Sequence, residues 1–323
     1  MDIKQVSYKN DNTFDANHLF LQIKGEQINH VIVNTLRRVI LEDIPCYAFS
    51  KKNINITKNS SVFNNDYMTN RLENIPVLGI DNQLDLDEYE NLRQYTRGRT
   101  IEVKEELEIE NLNLLNMYVG IKNITKDIMN VTSDECEFFI NEKRVDSIYN
   151  HPILIIKLKP DEEFECSMII DKNVALNHAQ YSAVSICCFE QKEENEYKLK
   201  LESRGQLNEF EIVDYACQII NFRLNNLLIK LSNQSFSSDH HGQIILNNED
   251  HTIGNLLSRG LQDHKSIEFA SYRLDHLLIR DVTIEYITKN SSIIKIIKNV
   301  IEDYIKLFDD IRRKILLIYK NGK

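Results

Sequence analysis

The sequence predicts an α+β protein: two β-α-β-β-α units paired within one chain as a pseudo-dimer, the first interrupted by a mostly β insert. Three observations carry this. A short pattern occurs twice, as His30-Val31-Ile32-Val33-Asn34-Thr35-Leu36-Arg37-Arg38 and as His251-Thr252-Ile253-Gly254-Asn255-Leu256-Leu257-Ser258-Arg259. His, Ile, Asn, Leu and Arg recur at one offset (251 − 30 = 221), and such self-similarity marks a duplicated structural unit. Each copy opens a stretch of helical periodicity bounded by alternating, strand-like runs. Each half then ends in a long stretch whose apolar stripe recurs every three to four residues, which suits helix pairing. A small sheet with one long helix leaves an apolar face open, and two such units bury it against each other.

The elements follow in order. Leu19 to Lys24 alternates like a strand. Ile28, Val31, Ile32, Thr35, Leu36, Val39 and Ile40 fall at helical spacing, and Asp43-Ile44-Pro45 stops that helix, because proline disfavours helix in the residue before it. Cys46 to Ile56 reads as strand, Asn59-Ser60-Ser61 as a turn, and Tyr67 to Leu72 as one or two helical turns before Ile75-Pro76. From Gly79 to Asp171, acidic stretches (Asp81 to Glu90, Glu105 to Glu110) separate short alternating runs: Ile101 to Ile109, Tyr118 to Ile124, Ile153 to Leu158 and Phe164 to Ile170. Strands at Val184 to Phe189 and Tyr197 to Leu201 return to the first unit. A long helix follows, marked by Ile212, Val213, Ala216, Ile219, Ile220, Leu224, Leu227, Leu228 and Leu231. Ser232 to Ser238 is a linker. Beyond it lie a strand (Gln243 to Leu246), a helix (Thr252 to Asp263), two strands (Ile267 to Leu274, Val282 to Thr288) and a last helix.

These readings place the first unit at 1–78 and 172–231, the insert at 79–171, the linker at 232–242 and the second unit at 243–323. Ile212, Ile219 and Leu227 on one long helix are expected to pair with Ile297, Tyr304 and Phe308 on the other. Fusion makes that pairing intramolecular, at an effective concentration of roughly millimolar.

Composition excludes several classes. The chain has 323 residues, 42% hydrophobic, with 9 Gly, 4 Pro and a formal net charge of −10. A primary nucleic-acid binder needs a basic face to displace counterions, so the chain is a poor candidate for one, although a local basic patch could still touch nucleic acid and an acidic chain can ride in a larger nucleic-acid machine. Met1 to Phe14 lacks the apolar core of a signal peptide, and the longest apolar runs, such as Ile153 to Ile156, are too short to span a bilayer. The six cysteines include no Cys-x-x-Cys pair and read as reduced, in an intracellular protein. No nucleotide loop, nucleophile elbow or zinc-protease spacing is present. His240-His241 has no nearby cysteine or third histidine, and Cys136 and Cys166 alone do not make a tetrahedral site. No metal, cofactor or catalytic site is expected in the chain.

Residues 34–45, from Asn34 to Pro45, resemble the signature helix of the α-like subunits of DNA-dependent RNA polymerases. The likeness continues through Asn59-Ser60-Ser61, Asp66, Arg71-Leu72 and Ile75-Pro76, and returns at His178-Ala179-Gln180-Tyr181-Ser182 and Glu202-Ser203-Arg204-Gly205-Gln206-Leu207, segments similar to the third-largest subunit of the family. The second half resembles the smaller α-like partner through Glu249-Asp250-His251-Thr252-Ile253-Gly254-Asn255-Leu256-Leu257, Phe269-Ala270-Ser271-Tyr272 and His276. The usual proline after that histidine is Leu277 here, and Ser258 stands where the first copy has Arg37. A fused pair resembles what some large DNA viruses encode, which implies a viral factory in host cytoplasm and the virion, or otherwise the nucleus.

The resemblance implies a non-catalytic platform on which the largest and second-largest subunits assemble, with small zinc-binding subunits beside it. It implies subunit-interface roles for Asn34, Arg37, Arg38, Arg71, Asn255 and Arg259. Arg37 and Arg38 could equally be a solvated pair, and Asn34 and Asn255 structural polar positions. His30 and His251 precede or open their helices, and with Asp250 and Thr252 adjacent they read as part of a helix cap rather than as metal ligands. Arg93, Arg97 and Arg99 with Tyr95 form a basic, aromatic patch that suits nucleic acid, an acidic neighbour or plain solvent. Asp310, Arg313 and Lys314 read as surface pairs. A stand-alone scaffold and an enzyme with its site in the insert are the competing readings.

Overall fold

The computed structural model describes residues 1–11, 16–94, 115–232, 240–275, 281–289 and 292–322. In chain order the strands are β1 (Asp2–Asp11), β2 (Ala16–Lys24), β3 (Pro45–Asn59), β4 (Leu115–Lys122), β5 (Met129–Thr132), β6 (Glu137–Ile140), β7 (Lys143–Val145), β8 (Leu154–Leu158), β9 (Glu163–Val174), β10 (Val184–Glu193), β11 (Glu196–Ser203), β12 (His241–Asn247), β13 (Ile267–Leu274) and β14 (Asp281–Thr288). The helices are α1 (His30–Glu42), α2 (Asn65–Leu72), α3 (Leu86–Gln94), α4 (Glu209–Ser232), α5 (His251–Gln262) and α6 (Ile293–Gly322). They form two compact units. One comprises Met1–Ile44, Leu84–Arg99 and Ser182–Lys323, the other Pro45–Gln83 and Thr100–Tyr181.

The first unit holds both halves of the repeat. Its antiparallel sheets run β1-β2-β11-β10 and β12-β14-β13. The order β2-β11-β10 therefore matches β12-β14-β13, with α1 against β10 and β11, and α5 against β13 and β14. α1 forms because its apolar residues fall on one face: Val31, Ile32, Val33, Leu36, Val39 and Ile40 are buried, and the Asn29 side chain caps its first turn by accepting from the Val31 and Ile32 amides. In α5 the cap is Asp250, which accepts from the Thr252 amide. The caps are thus the residues just before His30 and His251, and the histidines are the first helical residues.

α4 and α6 pack along each other, and all six residues expected to pair them are buried: Ile212, Ile219, Leu227, Ile297, Tyr304 and Phe308. Two polar clamps flank that seam, Asn221 Nδ2 to Asp309 at 2.7 Å and Arg312 Nε to Asp214 at 2.6 Å. α5 approaches α6 closely at Gly260, where a Cβ would fall 2.5 Å from Val300 Cγ1 and 2.7 Å from Tyr304 Cε2.

The second unit is a five-stranded antiparallel sheet, β3-β9-β4-β6-β7, a two-stranded sheet, β5-β8, and α2. Phe49, Leu72, Met117, Phe138, Phe164 and Met168 lie at its core.

The structure moves the expected boundaries. The sequence pattern places β3 in the first unit, but it pairs with β9, from Pro45 opposite Val174 to Asn59 opposite Phe164. The second unit therefore begins at Pro45, not at residue 79, and the strand after α1 in the first sheet is β10. Conversely, α3 lies within the 79–171 segment yet belongs to the first unit. β1 has no sequence signal of its own, because its polar sequence hides an edge strand with Ile3 as its buried anchor. The Ile101–Ile109 strand, the linker core at 233–239, and His276 with Leu277 lie outside the described residues. No described helix is long and apolar enough to cross a membrane.

Candidate functional site: the junction of the two halves

The repeat places the end of α1 beside the start of α5, and a buried polar cluster joins them. Asp43 caps the C-terminus of α1. Arg223 projects from α4, Tyr89 and Arg93 from α3. Glu249 and Asp250 come from the turn between β12 and α5, where Asn248 sits at φ 61°, a left-handed conformation that asparagine tolerates. Arg223 Nη1 donates to Asp43 at 3.2 Å, and its Nη2 to Glu249 at 2.5 Å and to Asp250 at 3.2 Å. Arg93 Nη1 donates to the Asn248 carbonyl at 2.8 Å, its Nη2 to Glu249 at 3.3 Å, and its Nε lies 3.5 Å from Asp43. The Tyr89 hydroxyl donates to Asp43 at 3.1 Å. Beside the cluster, Arg38 Nε donates to the Thr252 hydroxyl at 2.8 Å and its Nη2 to Glu42 at 3.0 Å.

Asp43, Tyr89, Arg93, Arg223 and Glu249 are all buried. Charges this deep persist only when paired and hydrogen-bonded. Burial acts to raise the Asp250 carboxyl, but the Arg223 and Arg93 charges and the Thr252 hydrogen bonds outweigh it and hold the group well below the usual carboxylate range. Burial opposes the Arg223 charge, while Glu249, Asp250 and Asp43 more than restore it, so its pKa lies well above the ordinary arginine value. Burial, then the Asp43 charge, drive the Tyr89 phenol well upward, so it stays a donor. Three carboxylates face two guanidiniums, and the excess negative charge sits at the N-terminus of α5, where the helix dipole favours it.

The cluster is one-sided. By the repeat offset, Asp250 corresponds to Asn29 and Glu249 to Ile28 (250 − 221 = 29). The two positions before α1 that match these acids therefore carry no charge, and Glu26 is the only acid in that turn.

The expected interface residues are distributed rather than gathered. Arg37 Nε donates to Asn34 at 3.0 Å along one face of α1, both half-buried. Arg38 is spent across the junction. Arg259 pairs with Asp263 at 3.0 Å, repeating the Arg38–Glu42 spacing on α5, and Asn255 is half-buried. Arg71 lies in the other unit, donating to the Leu154 carbonyl at 2.8 Å. Asp310 pairs with Arg313 and Lys314 along α6. Arg93 is neither solvated nor presented to a nucleic acid, since α3 carries it into the junction; Tyr95, Arg97 and Arg99 lie outside the described residues.

Sequence spacing does not bring Arg223, Asp43 and Glu249 together as a set. Arg223 did leave a signal, falling four residues after Ile219 on the stripe expected to be buried. Glu249 and Asp250 were legible only as residues flanking a helix start. Among the described residues, no three of His, Cys, Asp or Glu gather to hold a metal. Burial pushes the Cys136 and Cys166 thiols up to about 12.

Comparison with known proteins places this geometry. The family model described as the RNA polymerase Rpb3/Rpb11 dimerisation domain matches residues 22–224, and a second model of the same description matches residues 241–314. The chain is 32% identical over 314 residues to a protein of Acanthamoeba polyphaga mimivirus described as a DNA-directed RNA polymerase subunit, covering 90% of this chain and 88% of that one. It is 24% identical over 231 residues to a subunit of the DNA-directed RNA polymerases I and III of Dictyostelium discoideum, covering 71% and 60%. The second half alone is similar to the Rpo11 subunit of the Sulfolobus acidocaldarius DNA-directed RNA polymerase, at 38% identity over 78 residues, 23% of this chain and 86% of that one. One match per half, on either side of the linker and joined by a charged junction, identifies the chain as a member of the Rpb3/Rpb11 family in which both α-like partners are fused, a subunit of a DNA-directed RNA polymerase.

Proposed function

We propose that the chain is the non-catalytic assembly platform of its polymerase, nucleating association of the second-largest and largest subunits, with small zinc-binding subunits docking beside it. The buried junction is the observation that carries this reading. It fixes the two α-like halves against each other through side chains from four helices and one turn, so the pair can present a constant outer surface. Arg37 and Arg38 are both half-buried on α1, but Arg38 is engaged across the junction with Thr252 and with Glu42, whereas Arg37 donates to Asn34 of its own helix. Arg37 is therefore the stronger candidate for carboxylate recognition by the second-largest subunit, a contact to which arginine's planar fork is suited. DNA and RNA are met through the assembled enzyme, and Mg²⁺-dependent chemistry belongs to the large subunits. The mimivirus likeness favours a viral factory and virion as the place of action.

Purification through a tag on this chain from cells that make the polymerase tests the reading. Recovery of both large subunits in stoichiometric amounts is expected. Recovery of the chain alone, or with unrelated partners only, leaves a stand-alone scaffold as the answer.

A further inference from the structure

In the second unit, a groove of about 300 Å³ runs between α2 with the turn before it and strand β8. Its apolar walls include Val62, Phe63 and Tyr67 on one side and Ile128 and Leu154 on the other. These side chains are exposed, Val62 by 69% and Ile128 by 64%, and a cluster of this kind on a surface marks an interaction site. The turn that presents them is held rigid. Asn59 Nδ2 donates to the Phe63 carbonyl and to Asn65 Oδ1, both at 2.8 Å, and Asn59 Oδ1 accepts from the Ser61 amide and hydroxyl. Phe63 and Tyr67 stack at 4.7 Å. Arg71 ties α2 to β8 through the Leu154 carbonyl. The Asn59-Ser60-Ser61 and Arg71 positions singled out in the sequence thus build the groove.

Two features define the occupant. Arg71, Lys157 and Lys159 line the groove and no carboxylate does, although the chain carries a net charge of −10. Among the described residues, β8 pairs with β5 and with no other strand, and four consecutive β8 residues, Leu154 to Lys157, line the cavity. One face of a strand offers only alternate residues, so β8 meets the groove along its edge, where an extended peptide can add. We infer that the groove binds an extended, carboxylate-bearing segment with a bulky apolar side chain, supplied by another subunit of the polymerase; the source of the segment rests on the platform reading. A polyanion is disfavoured, because three cations around an apolar floor match one or two carboxylates rather than a run of phosphates.

The purified full chain is titrated into fluorescein-labelled short peptides and read by anisotropy. One peptide alternates Asp or Glu with Phe or Leu, a second replaces its acids by Lys, and a third replaces its apolar residues by Ser. The first should bind at least tenfold more tightly than either control. Lys157→Glu with Lys159→Glu, or Val62→Ser with Ile128→Ser, should abolish that preference while leaving the thermal midpoint unchanged, since these side chains face solvent. In polymerase recovered through this chain, a photo-crosslinker replacing Lys157 should capture an acidic, apolar-bearing segment of another subunit. Equal binding of the three peptides, tighter binding of a labelled oligouridylate, or crosslinks to nucleic acid or to this chain itself overturns the proposal. The peptide titration needs no polymerase, so its failure is distinguishable from failure of the platform reading.

Discussion

Replacing Arg223 by methionine removes the centre of the junction while roughly keeping its volume. Three ion pairs vanish, and Arg93 is the one cation of the cluster left to Asp43, Glu249 and Asp250. A stranded carboxylate can be neutralised instead of paired. At pH 7 that requires about 4 kcal/mol for a group with an ordinary pKa near 4, at 1.36 kcal/mol per pH unit. The figure agrees with the roughly 3–5 kcal/mol lost when one partner of a buried pair is removed. For a unit of this size each kcal/mol moves the midpoint by about 2–4 °C, so a fall of about 10 °C or more is expected by scanning calorimetry at pH 7. The pH dependence has a definite sign. In the native chain Asp250 is held low, so its contribution is complete above the ordinary Asp range and is lost only below it. In Arg223→Met the stranded carboxylates titrate higher in the folded than in the unfolded state, so the folded state binds more protons and the deficit grows as pH rises from about 4 towards 7. The midpoint difference should therefore be smaller at pH 5 than at pH 7. A fall below about 3 °C at pH 7, or a larger one at pH 5, would refute the reasoning.

Three further outcomes are expected. Gly260→Ala should lower the midpoint despite alanine's better helix propensity, by about 1–3 kcal/mol of overpacking against Val300 and Tyr304; Val300→Ala in the same chain should recover part of the loss, and a stabilised single variant would show that α6 yields freely. In the native chain at pH 8, a thiol reagent should label Cys188 quickly and the other five cysteines slowly, because Cys188 is exposed and the rest are buried, with the Cys187 thiol pushed up to about 12 by burial against the opposing pull of Arg37; fast labelling of two or more thiols counts against the packing described. Arg37→Ala with Arg38→Ala should weaken recovery of the second-largest subunit by about 2 kcal/mol or more if the pair holds a hot spot, and the single Arg37→Ala should account for most of it, since Arg38 is engaged with Thr252 and Glu42.

Periodicity and spacing carried the helices well. The stripes of α1, α4, α5 and α6 were legible because helical burial is written locally, every three to four residues. Strand partnership is not written locally. Cys46 to Ile56 has the pattern of the strand it forms, yet nothing in it says that its neighbour is β9, more than a hundred residues on. β1 escaped because an edge strand needs few apolar residues, and Ile3 is nearly alone. The junction was half legible. Arg223 stands on an otherwise apolar stripe, which is a sequence anomaly. Arg93 gave a misleading signal, since its neighbours Arg97 and Arg99 suggested a surface patch while its own environment is assembled from Asp43, Asn248 and Glu249, segments far apart in the chain.

The charged junction also has a consequence in time. Asp43, Arg93 and Arg223 are synthesised before Glu249 and Asp250. Until those two acids emerge, two guanidiniums destined for burial share a single carboxylate, so the first half cannot close its charge balance alone. A nascent chain released from that state early would expose this deficit to any acidic protein nearby. Translation of the next few dozen residues supplies the missing acids from the same ribosome, in a fixed one-to-one ratio. Separate genes would have to match that ratio through the expression levels of two messages.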